Sequence, residues 1–269
     1  MMTKWTESDI DRDGVNLHYY RTGQGELPAL VLAHGFSDNG LCWTRAAKGL
    51  EAHFDIVMVD ARNHGKSSRA PANLEDMADD LLCVISTLKL VQPLVLGHSM
   101  GASMAADLAA RYPEVVSKLI LEDPPWTKHQ GVDREGDLEK RREGFRQYLA
   151  SLQSMSEEQV MDFGKKTNPS WHEEDMPAWV ASKKQVGAEA MEGLSMGRWT
   201  NTVDQIRCPT LLVYADGEKD GIVTHDIAKQ ISSTNDSFKV QHIENAGHNT
   251  RREQFEPYLA AVKGFLLES

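Results

Sequence analysis

Short apolar runs recur along this chain, separated by stretches whose apolar residues return every three or four positions. The runs 29–33, 55–59, 94–96, 118–121, 210–214 and 238–243 are brief and rich in Val, Leu and Ile, as strands buried on both faces of a parallel sheet are. The stretch after Asn73 places Leu74, Met77, Ala78, Leu81, Leu82, Ile85 and Leu88 on one helical stripe. Asn73 is a good N-cap and Asp76 falls in the first turn, so a helix is predicted to start there with its stripe against the sheet. The alternation predicts an α/β fold: a mostly parallel twisted sheet with helices on both faces, preceded by an opening hairpin.

Between Pro124 and about Val203 the alternation stops. That segment instead carries helical stretches such as 138–152 and a helix-start signal, Ser156-Glu157-Glu158-Gln159, that has the form of a capping box. The expected organisation is one α/β core formed by 1–123 and 204–269, with a helical cap at 124–203 inserted after the sixth strand. At 269 residues the chain suits a single large α/β domain. No internal repeat or low-complexity tract interrupts it.

Chemistry enters at Gly97-His98-Ser99-Met100-Gly101, which follows the run 94–96 and precedes an alanine-rich helical stretch. Small residues on both sides let the chain turn sharply from strand to helix, which lifts the Ser99 hydroxyl out of the sheet and directs a helix N-terminus at it. Two further loops follow strand-like runs in register, His34-Gly35-Phe36-Ser37 and Asn245-Ala246-Gly247-His248-Asn249, and a fourth motif runs from Asp60 to Ser67. With these motifs the chain resembles the α/β-hydrolase superfamily from about Gly14 to Leu267.

The resemblance implies that Ser99 is the nucleophile and His248 the base that takes its proton. Two positions compete for the acid that orients His248. Much of the family places it after the strand 210–214, where Asp220 or Asp216 could serve, but the spacing there is about two residues too long. One branch places it a strand earlier, about 24 residues after the serine, where Asp123 stands beside Glu122. Asp123 is the expected acid and Asp220 the alternative. The backbone amides of Phe36 and Met100 are the expected oxyanion donors, and Ser37 could add a hydroxyl. Phe36, Ser37 and Met100, with Trp126, Trp179 and Trp199 of the cap, are the expected substrate contacts. Four of the six tryptophans (Trp126, Trp171, Trp179, Trp199) and Met155, Met161, Met176, Met191 and Met196 fall in the insert; they either line an apolar pocket or pack the cap onto the sheet. His34 and His64 are expected to hold loops, and His98 is a variable position of the elbow.

Composition narrows the classes. A net charge of −11 argues against nucleic-acid or anionic-membrane partners, because phosphate binding depends on clustered Lys and Arg. No apolar run approaches the roughly 20 residues that span a bilayer, and Met1 to Thr6 lack a signal-peptide core, so a cytoplasmic location is expected. Cys42, Cys83 and Cys208 form no C-x-x-C pattern and read as small core residues. There is no H-E-x-x-H, and Gly23-Gln24-Gly25 is no dinucleotide fingerprint, so neither a metal nor a cofactor is implied. Dehalogenases and epoxide hydrolases of the family use an aspartate nucleophile where this chain has Ser99. The expected function is a serine hydrolase that cleaves a small or medium apolar ester or lactone, macrocyclic lactones included, through an acyl-enzyme. A cofactor-free perhydrolase or carbon–carbon bond hydrolase is the alternative, and a ligand receptor on the same scaffold is the non-enzymatic one.

Overall fold

The computed structural model describes residues 5–127, 135–191 and 199–268. In chain order its elements are β1 (Thr6–Arg12), β2 (Val15–Arg21), β3 (Ala29–Ala33), α1 (Thr44–Leu50), β4 (Asp55–Val59), α2 (Leu74–Thr87), β5 (Leu94–His98), α3 (Met100–Arg111) and β6 (Lys118–Glu122). After β6 come α4 (Glu135–Ser154), α5 (Glu157–Thr167), α6 (Met176–Gln185) and α7 (Trp199–Val203). The chain then returns to the sheet with β7 (Thr210–Tyr214), α8 (His225–Thr234), β8 (Phe238–His242), α9 (Thr250–Glu253) and α10 (Phe255–Leu267). The strands form one sheet in the order β1-β2-β4-β3-β5-β6-β7-β8. β1 with β2 and β2 with β4 are antiparallel, and every other pairing is parallel.

Because strand side chains alternate between faces, the sheet divides its apolar residues between two cores. Val31, Val57, Val95, Leu119 and Leu212 pack on one side with α2 and α3 residues such as Leu81 and Leu108. Leu30, Leu32, Ile56, Leu96, Ile120 and Val213 face the other, with Leu50 of α1 and Val262 of α10. The α2 stripe lies as the periodicity predicts, with Met77, Ala78, Leu81 and Ile85 buried and Leu74, Leu82 and Leu88 packed at the margin. Asn73 caps the helix through its Oδ1, which accepts from the Asp76 amide at 2.8 Å.

One strand departs from expectation. The run 238–243 was expected to be buried, but Lys239, Val240 and Gln241 of β8 are exposed. β8 is the sheet's last strand and pairs only with β7, so solvent reaches it, and a lysine suits such an edge.

The helices between β6 and β7 build a small core of their own, in which Leu152, Val160, Met176, Trp179 and Val180 meet Met155, Met161 and Trp171. The Ser156 capping box is formed in both directions: Ser156 Oγ accepts from the Gln159 amide, and Gln159 Oε1 accepts from the Ser156 amide. Met1 to Lys4, the stretches 128–134 and 192–198 within the expected insert, and Met196 with them, lie outside the described residues. No described helix is long and apolar enough to cross a membrane.

Candidate active site

Three strand ends converge at the C-terminal edge of the sheet. At the end of β5, Ser99 adopts φ +52° and ψ −115°, a strained conformation for a non-glycine residue. The turn is possible because its flanking positions carry no side chain. A Cβ on Gly97 would collide with the Gly101 carbonyl, and one on Gly101 with the Ala33 carbonyl. The Ser99 amide is held by the Glu122 carbonyl of the neighbouring strand at 2.9 Å.

His248 stands in the loop after β8, with its Nε2 3.0 Å from Ser99 Oγ and its Nδ1 2.6 Å from Asp123 Oδ2. Asp123 is fully buried and follows directly on β6. Its carboxylate also accepts from the amides of Ile222 and Val223 at 2.9 Å. A carboxylate that also accepts two backbone amides suits the tautomer with its proton on Nδ1, which turns the Nε2 lone pair toward the serine hydroxyl. Gly247 is required for close approach, since any Cβ there would run into the Lys219 carbonyl.

The other candidate acids are placed elsewhere. Asp220 is exposed, in a left-handed turn, and makes no bond to His248 among the described residues. Asp216 accepts from His242 Nε2 at 2.7 Å and from the Asn245 amide at 2.8 Å. Glu122 faces Arg251, whose amide donates to it at 3.0 Å and whose Nη1 lies 3.2 Å away. The longer loop that carries Asp220 thus supplies two backbone amides to the Asp123 carboxylate.

Beside Ser99, the Phe36 amide donates to no protein acceptor among the described residues, and the Met100 amide lies in the first turn of α3, where backbone N–H groups lack intrahelical acceptors. The loop that presents Phe36 is tied down by two imidazoles. His34 Nε2 accepts from the Ala61 amide at 3.0 Å and His64 Nε2 from the Ser37 amide at 3.3 Å, while each Nδ1 meets a backbone carbonyl. Burial holds both rings neutral, pulling His64 down to about 3 and His34 in the same direction. His98 has a place that its variable sequence position did not reveal. Its Nε2 lies 2.9 Å from the His248 carbonyl and its ring centroid 4.8 Å from that of His248, and burial drives its pKa well below the ordinary range.

A cavity of about 540 Å³ opens over Ser99 and His248. Phe36, Ser37 and Trp179 line it, and so do Phe145, Tyr148 and Trp171. Met100, Trp126 and Trp199 were expected to contact substrate but are not part of the lining. All three are buried in the core beneath the sheet's helices, and Trp199 Nε1 donates to the Thr127 carbonyl at 3.2 Å. The two ends of the insert are thus anchored in the main core, while Met155, Met161 and Met176 pack within the cap.

The cavity wall also carries charges that the sequence did not signal. Asp38 accepts from Arg251 Nη2 at 3.1 Å and Arg252 Nη2 at 2.9 Å, and Lys183 Nζ of α6 lies 3.3 Å from its other oxygen. Burial opposes ionisation of Asp38, yet Arg252, Lys183 and Arg251 together hold its carboxyl well below the usual range. The neighbouring pair Arg251-Arg252 was the one visible hint.

A sheet of this order, with a sharp strand-to-helix turn at Ser99 after β5, Asp123 after β6 and His248 after β8, is the architecture of the alpha/beta hydrolases, and the chain belongs to that family. The family described as alpha/beta hydrolase fold matches residues 28–250. Among relatives, N-formylmaleamate deformylase of Pseudomonas putida is 26% identical over 273 residues, covering 99% of this chain and 98% of the relative. Epoxide hydrolase 1 of Caenorhabditis elegans is 24% identical over 294 residues, 97% of this chain and 70% of the relative. The crystal structure of the enol-lactonase from Burkholderia xenovorans superposes with a TM-score of 0.73 at 19% identity, covering 97% of this chain and 100% of that one.

Proposed function

We propose that the chain is a serine hydrolase that cleaves a carboxylic ester or lactone through an acyl-enzyme. The observation that carries this reading is the unbroken relay from Asp123 through His248 to Ser99, at 2.6 and 3.0 Å. Ser99 Oγ attacks the carbonyl carbon while His248 Nε2 takes its proton, and Asp123 stabilises the imidazolium without itself being protonated. The carbonyl oxygen, now negative, is received by the amides of Phe36 and Met100; one such donor typically contributes about 10²–10³-fold in rate. His248 returns the proton to the leaving alkoxide, and water then repeats the sequence on the acyl-enzyme. Epoxide opening through an alkyl-ester intermediate would need a carboxylate at position 99. The covered cavity suits a small or medium substrate, and the deformylase and enol-lactonase among the similar proteins also favour hydrolysis at an acyl carbon.

The test is proton release by wild type and Ser99→Ala on short esters, long-chain esters, small lactones and macrocyclic lactones. Turnover that falls about 10⁴-fold or more in Ser99→Ala is expected. Equal rates for the two proteins on every substrate that reacts would sink the reading.

A further inference from the structure

The cations of the charged cluster beside Ser99 outnumber the carboxylates bonded to them. Lys183, Arg251 and Arg252 are 2%, 3% and 2% exposed, and the anions they face are Asp38 at 3% and Glu122 at 0%. Glu122 and Asp38 both bind Arg251, and the same Asp38 carboxylate then serves Arg252 and Lys183 as well. Three buried cations thus share two carboxylates. Buried Asp175, 3.4 Å from Arg45, also acts through space on Arg252 and Arg251, and so adds a third carboxylate to the surroundings of the cluster. Arg252 shares its one bonded carboxylate with two other cations, so it can take a further anion from the cavity that it lines.

Hydrogen bonding gives the same answer independently. Arg252 lines the cavity. Its Nη1 donates to Asn249 Oδ1 at 3.0 Å and its Nη2 to Asp38, but its buried Nε–H has no partner among the described residues. Since only the oxygen of the Asn249 side-chain amide can accept, its NH₂ group is turned away from Arg252, which leaves a second donor on the lining. Ser37 Oγ accepts from Lys183 Nζ at 2.9 Å, so its own proton is available as a third. The polar atoms of this wall are spent as acceptors inward and remain as donors outward. Trp171 flanks the guanidinium at 4.5 Å, which leaves Arg252 little freedom to swing to another anion.

We propose that Arg252, with Asn249, Ser37 and the charge of Lys183, forms a carboxylate-binding subsite, and that the substrate is an ester or lactone whose acyl part carries a carboxylate. This rests on the hydrolase reading above and deepens it: the apolar substrate expected from the aromatic cap becomes an amphiphilic one. Its chain lies along Phe36, Tyr148 and Trp179, with an anionic end at Arg252. Arg252 follows His248 by four residues and both line the same cavity, so the carboxylate and the reacting carbonyl are separated by a short chain. Burial pulls the Lys183 ammonium below its ordinary pKa, and an arriving carboxylate favours its charged form.

The test is a matched pair of para-nitrophenyl esters: the half-ester of adipic acid, and the ester of an acid of the same chain length that ends in an isopropyl group. Wild type is expected to prefer the anionic ester by about 100-fold or more in kcat/KM, and Arg252→Gln to collapse that ratio, chiefly through KM. Because Arg252→Gln disturbs a buried cluster, a second measurement accompanies it: calorimetric titration of adipate into Ser99→Ala, which keeps the cluster whole, against hexane-1,6-diol as the uncharged control. Binding of adipate alone supports the subsite. Equal turnover of the two esters together with no adipate binding overturns it. Failure of both esters to react, with adipate still bound by Ser99→Ala, would retire the hydrolase reading and leave the subsite standing.

Discussion

The floor of the cavity and its roof are built by different physics. On the floor, Ser99, Asp123 and His248 each sit within a few residues of a strand end and are fixed by backbone bonds: the Glu122 carbonyl on Ser99, the Ile222 and Val223 amides on Asp123, a glutamate on the Gly247 amide. On the roof, Tyr148, Trp179 and Lys183 reach inward from helices, and Trp171 from the loop after α5, and their positions depend on the packing of the whole insert. Backbone-held groups keep reacting atoms at fixed distances. Side-chain packing allows the shape above them to change without disturbing the relay, the division of labour expected when one fold serves many substrates.

The sharpest way to break this contrast is at the acid. Asp123→Asn should lower kcat by about 10⁴-fold, because the amide favours the wrong imidazole tautomer, while exposed Asp220→Asn should stay within about threefold of wild type. Ester turnover by the two variants decides it, and the reverse order would move the acid to the following loop.

A smaller effect compares the glycines of the two regions. Gly97→Ala drives a Cβ into the Gly101 carbonyl, which is backbone and cannot yield, so a loss of more than about 4 kcal/mol or failure to fold is expected. Gly164→Ala on the roof meets the tip of Met176 at 2.5 Å and the Trp179 ring at 2.6 Å. Side chains can shift, and alanine favours the helix, so about 1–2 kcal/mol is expected. Urea unfolding measures both, and similar losses would show the roof to be as rigid as the floor.

The smallest effect, per group, is with pH. Buried His34, His64 and His98 resist protonation, whereas the unfolded chain takes up protons near the ordinary value of 6.5. The unfolded state therefore binds more protons as pH falls, and stability, complete above 6.5, declines from there toward the folded value of about 3 for His64. Between pH 6.5 and 5.5 the three rings together should cost roughly 2–3 kcal/mol. An unfolding free energy unchanged over that unit would mean that the rings are protonated in the fold.

What the sequence disclosed follows the same division. The elbow at Ser99, the loop at His248, the Asn73 cap and the Ser156 box are local, so each is written in a few consecutive residues. The choice between Asp123 and Asp220 was harder, because it turns on which carboxylate the folded loop at Ile222 encloses. Trp126 and Trp199 could not be told from Trp171 and Trp179 by composition, since all four fall in one segment and only three-dimensional packing sends two of them into the main core. Asp38 and its cations left almost no trace: Arg252 lies 214 positions away from it and Lys183 lies 145. The exposed face of β8 was missed because strand order, which makes it an edge, is not a property of the strand itself.

The ammonium of Lys183, threaded from α6 onto Ser37 and Asp38, bears on how such enzymes can be recombined. A chimera that replaced the segment between β6 and β7 with that of another hydrolase would remove one of the three cations around Asp38 and leave the Ser37 carbonyl without its donor. A graft that also altered residue 38 would strand Arg252 and leave Arg251 with Glu122 alone. Crossover points are therefore best placed so that residues 37, 38 and 183 come from the same parent, which makes cap and core a linked pair in any library of hybrids.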